Sequence, residues 1–170
     1  KGWITRIIGA MELENRIKSF YPFPICKMHQ SVRLERESRS RVRKLVDLVE
    51  GTVKYLALIS LAAYTKFAIS DEQVKQAQAM LDKPSFGHWV SLYRSCINTA
   101  QKNYPEYLDV LPKDYQKDDP IGFAVKQLNE ASGSSSKFKK LTQFHLLDAI
   151  VEFRNRRIGH GILNDHQAKE

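Results

Sequence analysis

Residues 42–63 read VRKLVDLVEGTVKYLALISLAA, and this stretch decides the fold class. Apolar residues recur in it every three or four positions, which is the period of one face of an α-helix. The recurring positions are Val42, Leu45, Val46, Val49, Val53, Leu56, Ile59 and Ala63. Between Lys27 and Ala68 the chain has no proline and only one glycine, Gly51. The pattern therefore predicts one long central helix, or a helix pair that breaks near Gly51.

Shorter helices are predicted on both sides of this element. A first helix or arm covers residues 2–20 and ends in an extended break at Tyr21-Pro22-Phe23-Pro24, since a helix interior does not tolerate these prolines. The sequence Ser70-Asp71-Glu72-Gln73 is typical of a capping box, with Ser70 beginning a helix of about a dozen residues. Pro84 ends that helix, and the next one runs from Phe86 to about Lys102.

The C-terminal third continues the helical pattern. Prolines and aspartates mark residues 103–119 as a loop, a helix occupies about 120–131, and a serine-rich turn follows at 132–136. The last helix begins near Phe138 and ends at Gly159 and Gly161. No stretch alternates with period two, so we expect an all-α helical bundle. We divide the chain into an N-terminal helix or arm (1–22), a helical domain (23–163) and a flexible tail (164–170).

The charge of the chain favours an anionic partner. The net charge is +8, from 27 Lys and Arg against 19 Asp and Glu, and the basic residues cluster at 33–44, 137–140 and 154–157. Nucleic acid is the first candidate for such a partner. A solvated basic surface is the alternative, above all for residues 33–44, where Glu35 and Glu37 separate the arginines.

The sequence gives little support for a metal site, a disulfide framework, a membrane span or a phosphate-binding loop. Cys26 and Cys96 lack CxxC spacing, which indicates neither a zinc site nor a disulfide framework and favours reduced thiols in the cytoplasm. The longest apolar run, Tyr55–Tyr64, is too short to cross a bilayer, so no membrane association is expected. The serine turn has no GxxxxGK context, and we expect neither a cofactor nor a metal ion.

The most informative segment follows the apolar stripe of the last helix and reads Arg154-Asn155-Arg156-Arg157-Ile158-Gly159-His160. In a continuous helix Arg154 and His160 would be about 600° apart and would lie on different faces. Gly159 permits the left-handed conformation that ends helices. The chain can therefore curl back and bring the imidazole of His160 towards the guanidinium of Arg154.

This segment resembles the signature motif of the HEPN superfamily, in which an arginine and an adjacent polar residue precede a histidine by a short spacer. Arg154 matches the arginine, Asn155 the polar residue and His160 the histidine, with four residues between Asn155 and His160. The resemblance covers about ten residues and extends to the position of the motif on the last long helix. It implies a HEPN-like architecture and a metal-independent endoribonuclease that acts as a homodimer.

The resemblance also implies the effector part of a toxin or antiviral defence system, controlled by an antitoxin or a fused regulatory domain. Arg154, Asn155 and His160 would be catalytic. We assign RNA contacts to the neighbouring basic residues Arg156, Arg157, Lys139 and Lys140. The chemistry is consistent with the residue types, since a histidine can move a proton of the ribose 2′-hydroxyl and an arginine fork can hold the phosphate.

Noncatalytic alternatives are also open. Arginines at a helix end and a glycine stop are common for purely structural reasons, and many superfamily members bind partners or nucleotides without cutting RNA. The chain could thus be a helical dimerisation or nucleotide-sensing module of a larger protein. At His88-Trp89 a base could stack near Arg94, but we favour Trp89 and Leu92 as core residues and His145 as a packed histidine.

Overall fold

The computed structural model describes residues 12–66, 70–104, 120–133 and 142–158, and within these ranges the fold is all-α, as predicted. No strand occurs in the described ranges. The α-helices are α1 (12–20), α2 (Phe23–Leu34), α3 (Ser38–Lys66), α4 (Glu72–Ala79), α5 (Phe86–Asn103), α6 (Pro120–Ser132) and α7 (Gln143–Phe153). A 3₁₀ turn, Met80–Asp82, continues α4, and a π-helical turn, Arg154–Ile158, continues α7. The predicted bounds of α5 and α6 are confirmed to within two residues.

The chain divides into two compact units, residues 1–51 and 52–170, and the boundary falls inside α3. Each unit has its own buried residues, among them Ile25 and Val46 in the first and Leu92 and Phe86 in the second. The domain limits that we set at residues 22 and 163 stay predictions. No helix in the described ranges combines the length and apolar character needed to cross a bilayer.

The proline break before α2 is shorter than predicted. Pro22 is the N-cap of α2 and Pro24 stands in its first turn, so only Tyr21 and Pro22 separate α1 from α2. The backbone N–H groups of Ile25 and Cys26 donate to the carbonyl oxygen of Pro22. Pro24 is tolerated because a first-turn residue has no helical acceptor for its N–H in any case.

Of the two alternatives for the central element, the single long helix is confirmed from Ser38 to Lys66, and the break near Gly51 is wrong. The chain breaks instead at residues 35–37, before α3. The Glu35 carboxylate accepts hydrogen bonds from Glu37 N (3.0 Å) and Ser40 Oγ (2.9 Å), so it caps the start of α3. Lys44 Nζ also binds it, at 2.6 Å. The hydrogen bond from Lys44 is the largest cause that lowers the pKa of Glu35 to about 2.

Gly51 lies on the side of α3 that faces Met28 in α2, which explains why this helical position is a glycine. A Cβ atom at Gly51 would stand 2.9 Å from Sδ and Cε of Met28. Glycine therefore gives the methionine thioether room against the backbone of α3, at a cost of about 1 kcal/mol in helix propensity relative to alanine.

The core of the second unit joins the C-terminal half of α3 to α4 and α5. Its buried members are Ala57, Val74, Ala77, Leu92, Tyr93, Cys96 and Ile97, and Trp89, Phe144 and Leu147 pack against them. The prediction that Trp89 and Leu92 are core residues is confirmed. Burial raises the pKa of the Cys96 thiol to about 11, because desolvation disfavours the thiolate.

The opposite face of α3 is exposed and yet apolar. The exposed fractions of its large side chains are 42% for Tyr55, 37% for Leu56, 52% for Leu58 and 48% for Ile59. The neighbouring Ala62 and Ala63 are exposed as well. A surface helix normally turns polar residues to this side.

Two helix starts differ from the predictions. Asp71, not Ser70, caps α4, and its side chain accepts from Gln73 N at 2.8 Å. The last helix begins at Gln143 and not near Phe138, because Thr142 has extended backbone dihedrals. The Thr142 N–H donates to His145 Nδ1 at 2.9 Å, so His145 belongs to the N-terminal cap of α7.

Candidate functional site

Helix α7, which carries the Arg154 motif, is held in place by α5. The rings of Tyr93 and Phe144 are 5.7 Å apart between centroids, and a Cβ atom at Gly87 would stand 3.7 Å from Val151 Cγ1. Because early residues of α5 meet late residues of α7, the two helices run antiparallel. The start of α5 therefore lies beside the end of α7, where the motif begins.

An ion pair also joins α5 and α7. Arg94 Nη2 lies 2.6 Å from Asp148 Oδ1, and the Arg94 guanidinium carbon lies 5.1 Å from the centroid of the Phe144 ring. The sequence offered Arg94 as a cation beside a stacked base only as the alternative that we did not favour, and in the structure its guanidinium contacts Asp148 and Phe144 of α7. Asp148 was missed as its partner. The signal was its position on the polar side of the last helix, six residues before Arg154.

The motif itself begins at the turn where α7 changes from α-helical to π-helical. Arg154 is half-buried and Asn155 exposed, and Arg154 Nη1 donates to Asn155 Oδ1 at 3.3 Å. The contact joins two of the three residues that the motif resemblance singles out. In a π-helical turn the hydrogen bonds join residues i and i+5, and such turns occur frequently at functional sites.

The two arginines that follow bind the C-terminal end of α6. Arg157 Nε donates to the carbonyl oxygen of Ala131 at 2.5 Å, and Arg156 Nη1 donates to that of Ser132 at 3.0 Å. Arg156 Nη2 also lies 2.7 Å from Glu152 Oε1. The last carbonyls of a helix have no helical donor and carry negative partial charge, so cations are favourable there. The guanidinium groups therefore tie the motif turn to α6.

Helix α6 ends at Ser132, so the two carbonyl groups that the arginines bind belong to its last two residues. Gly133, the residue after its last turn, has a φ of +69°, in the left-handed region that glycine adopts at low cost. Arg156 is exposed and Arg157 half-buried. Their assigned role in RNA binding stays a prediction, and it would have to be combined with this structural role.

Four of the predicted positions lie outside the described residues. They are Gly159, His160, Lys139 and Lys140. The approach of the His160 imidazole to Arg154 and the RNA contacts of the two lysines therefore stay predictions. Among the residues that are described, no group of three or more His, Cys, Asp or Glu side chains is arranged to hold a metal ion.

Comparisons with protein-family models, curated proteins and solved structures give no match for this chain. The case for a function therefore depends on the side chains themselves.

Proposed function

We propose that this chain is a HEPN-like endoribonuclease domain that cuts RNA without a metal ion. The observation that carries the proposal is the contact between Arg154 and Asn155 on a π-helical turn anchored to α6. An arginine held in this way is a pre-organised group for a phosphate, because a fixed guanidinium fork loses little freedom on binding.

In the proposed reaction His160 takes the proton from a ribose 2′-hydroxyl. The 2′-oxygen then attacks the adjacent phosphorus, the bond from phosphorus to the 5′-oxygen breaks, and the 5′-oxygen takes up a proton. The products are a 2′,3′-cyclic phosphate and a 5′-hydroxyl. Arg154 stabilises the charge on the phosphate oxygens, and Asn155 orients Arg154 or the phosphate.

The test is incubation of the purified chain with total RNA in EDTA. The wild type is expected to cut, and His160→Ala is expected to lower the rate about 10²- to 10⁴-fold, the usual contribution of acid–base catalysis. His29→Ala is the matched control, because His29 is a half-buried histidine of α2 in the first unit. Undiminished cutting by His160→Ala, or cutting that stops in EDTA, would contradict the proposal.

A second variant tests the arginine. Arg154→Lys keeps the charge but removes the fork, and should lower the cleavage rate about 10²-fold or more. Arg43→Lys, at an exposed arginine of α3, should leave the rate unchanged. Equal effects of the two substitutions would contradict a role for the guanidinium fork of Arg154 in cleavage.

The biological role belongs to the same proposal and is supported by the motif resemblance. The chain would be the effector of a toxin or antiviral defence system, with RNA as substrate, a second copy as partner, and an antitoxin or fused domain as regulator. Expression of the wild type in bacterial cells should stop growth. Expression of His160→Ala to the same level should not.

The apolar outer face of α3 favours a second candidate function, a noncatalytic helical dimerisation module. Arg156 and Arg157 already donate hydrogen bonds to carbonyl oxygens of α6, which is also consistent with this candidate. A wild-type chain that forms dimers and leaves RNA intact in the EDTA assay would support it over the nuclease.

A further inference from the structure

We propose that the outer face of α3 is a self-association surface, on which the same face of a second copy packs antiparallel. We name this surface the α3 apolar face, and it consists of Tyr55, Leu56, Leu58, Ile59, Ala62 and Ala63. The inference rests on the second copy named in the proposed function and identifies the surface on which it packs, and it holds whether or not the chain cuts RNA.

The first step is that this face is uncovered in spite of its composition. Leu58 and Ile59 are about half exposed, while Ala57 between Leu56 and Leu58 is completely buried. The helix is therefore apolar on the side that packs in the core and on the side that does not. A helix that is apolar all round is normally covered on all sides.

The second step concerns the charge of the occupant. No charged residue occurs between Lys54 and Lys66, although the whole chain carries a net charge of +8. A charged partner surface would lose its hydration here without gaining an ion pair. The α3 apolar face of a second copy is uncharged, and it is a place where two cationic chains can meet without like-charge repulsion.

The third step is the area. Four large apolar side chains that are about half exposed, with two exposed alanines beside them, form an apolar patch of roughly 300–400 Å², a size that is often functional. Protein interfaces are about 57% apolar, so an apolar patch of this size corresponds to an interface of roughly 600 Å² per chain once the polar rim is included. The total of about 1,200 Å² lies at the lower limit of stable interfaces. The expected dimer is therefore specific but weak.

The direction of packing follows from the ends of α3. Lys66, two turns after Ile59, is exposed and lies on the side of the α3 apolar face. A parallel pair would bring this cation against the same residue of the second copy, whereas an antiparallel pair separates the two lysines and aligns the helix dipoles favourably. In the antiparallel pair Leu58 lies near the twofold axis, and Tyr55 faces Ala62 of the second copy.

Sedimentation equilibrium of the 170-residue chain over a concentration series tests the proposal. The wild type should approach twice its mass of 19.6 kDa. The double variant Leu58→Gln/Ile59→Gln should raise the dissociation constant about tenfold or more, since it removes the centre of the interface. The control Met80→Gln/Phe123→Gln removes two side chains that are 50% and 64% exposed on other helices, and should dimerise like the wild type.

The outcomes are decisive in both directions. A monomeric wild type would overturn the proposal and point to another occupant of the α3 apolar face. A dimer that survives Leu58→Gln/Ile59→Gln, or that the control also abolishes, would overturn it too. Circular dichroism checks that both double variants are folded. All four substituted side chains are exposed, so we expect the substitutions to leave the fold intact.

Cross-linking tests the direction of packing in a Cys26→Ser background. Leu58→Cys should form an interchain disulfide on mild oxidation, because residue 58 lies near its own copy. Ala62→Cys should not, because residue 62 faces residue 55. Efficient cross-linking at both positions would exclude the antiparallel arrangement.

Discussion

The arginine-rich segments at residues 33–44 and 154–157 look alike in the sequence but bind different groups. In the first segment Arg33 pairs with the carboxylate of Glu14 and Lys44 with that of Glu35, although Arg41 donates to the backbone carbonyl of Glu35. In the second, Arg156 and Arg157 donate to backbone carbonyls of α6, and Arg156 also pairs with the carboxylate of Glu152. The comparison shows that a cluster of arginines in a sequence indicates positive charge and no more. What each arginine does in the structure depends on the group that accepts its hydrogen bonds.

The acceptors also differ in how conditions change them. A carboxylate loses its charge in acid, and an exposed ion pair weakens in salt. A helix carbonyl does neither. The Arg33–Glu14 and Lys44–Glu35 pairs should therefore respond to pH and ionic strength, whereas the contact of Arg157 with the Ala131 carbonyl should respond to neither.

The largest effect is expected from Arg157→Ala. It removes the donor to the Ala131 carbonyl and the cation at the end of α6, so the free energy of unfolding should fall by about 1–3 kcal/mol. Urea denaturation followed by circular dichroism measures this. Arg43→Ala is the control from the first segment, an exposed arginine whose loss should cost little. Equal losses in the two variants would break the comparison.

An intermediate effect is expected from Glu35→Gln, and it appears in acid. The folded pKa of about 2 lies below the ordinary value of 4.5, so the contribution of Glu35 is complete above pH 4.5 and is lost as the pH falls towards 2. The melting temperature of the wild type should therefore decline across this range more than that of Glu35→Gln.

Two variants serve as controls for the acid series. Glu130→Gln changes an exposed carboxylate that lies 3.9 Å from Lys126, and its acid profile should follow the wild type. Arg157→Ala should be less stable at every pH, with an unchanged acid profile. A Glu35→Gln variant as acid-sensitive as the wild type would contradict the assigned role of Glu35.

The smallest effect is expected from Arg33→Ala. This arginine pairs with Glu14 at the surface, and Lys18 shares the same carboxylate at 2.6 Å. Surface ion pairs contribute little, so the melting temperature should fall by about 1–2 °C at low salt. The difference should vanish at high salt. A larger loss that salt does not change would indicate a packing role for the Arg33 side chain.

Much of the helical layout could be predicted because proline and apolar spacing act locally. The bounds of α5 and α6 followed from Pro84, Pro120 and the serine-rich turn. The break at residues 35–37 was missed because Glu-Arg-Glu reads as the solvated face of a helix. Only the folded structure shows that the Glu35 carboxylate binds Ser40 and Lys44.

The candidate site was predictable in part. The sequence placed Arg154 and Asn155 in one motif, and the structure shows their side chains in contact, which was not predicted. The acceptors of Arg156 and Arg157 are more than twenty residues away, on α6, so no local pattern pointed to them. The π-helical turn was not predicted either, because its residue types are those of an ordinary helix end.

The π-helical turn also constrains the number of residues in the motif, not only their identity. Bonds from i to i+5 enclose one more residue than those of an α-helix. Deleting one residue from Arg154–Ile158 would restore α-helical bonding and would move the arginines of this turn relative to their acceptors on α6. The spacing of this segment is thus as much a part of its design as its arginines, and an insertion or deletion here should be tolerated less than a conservative substitution.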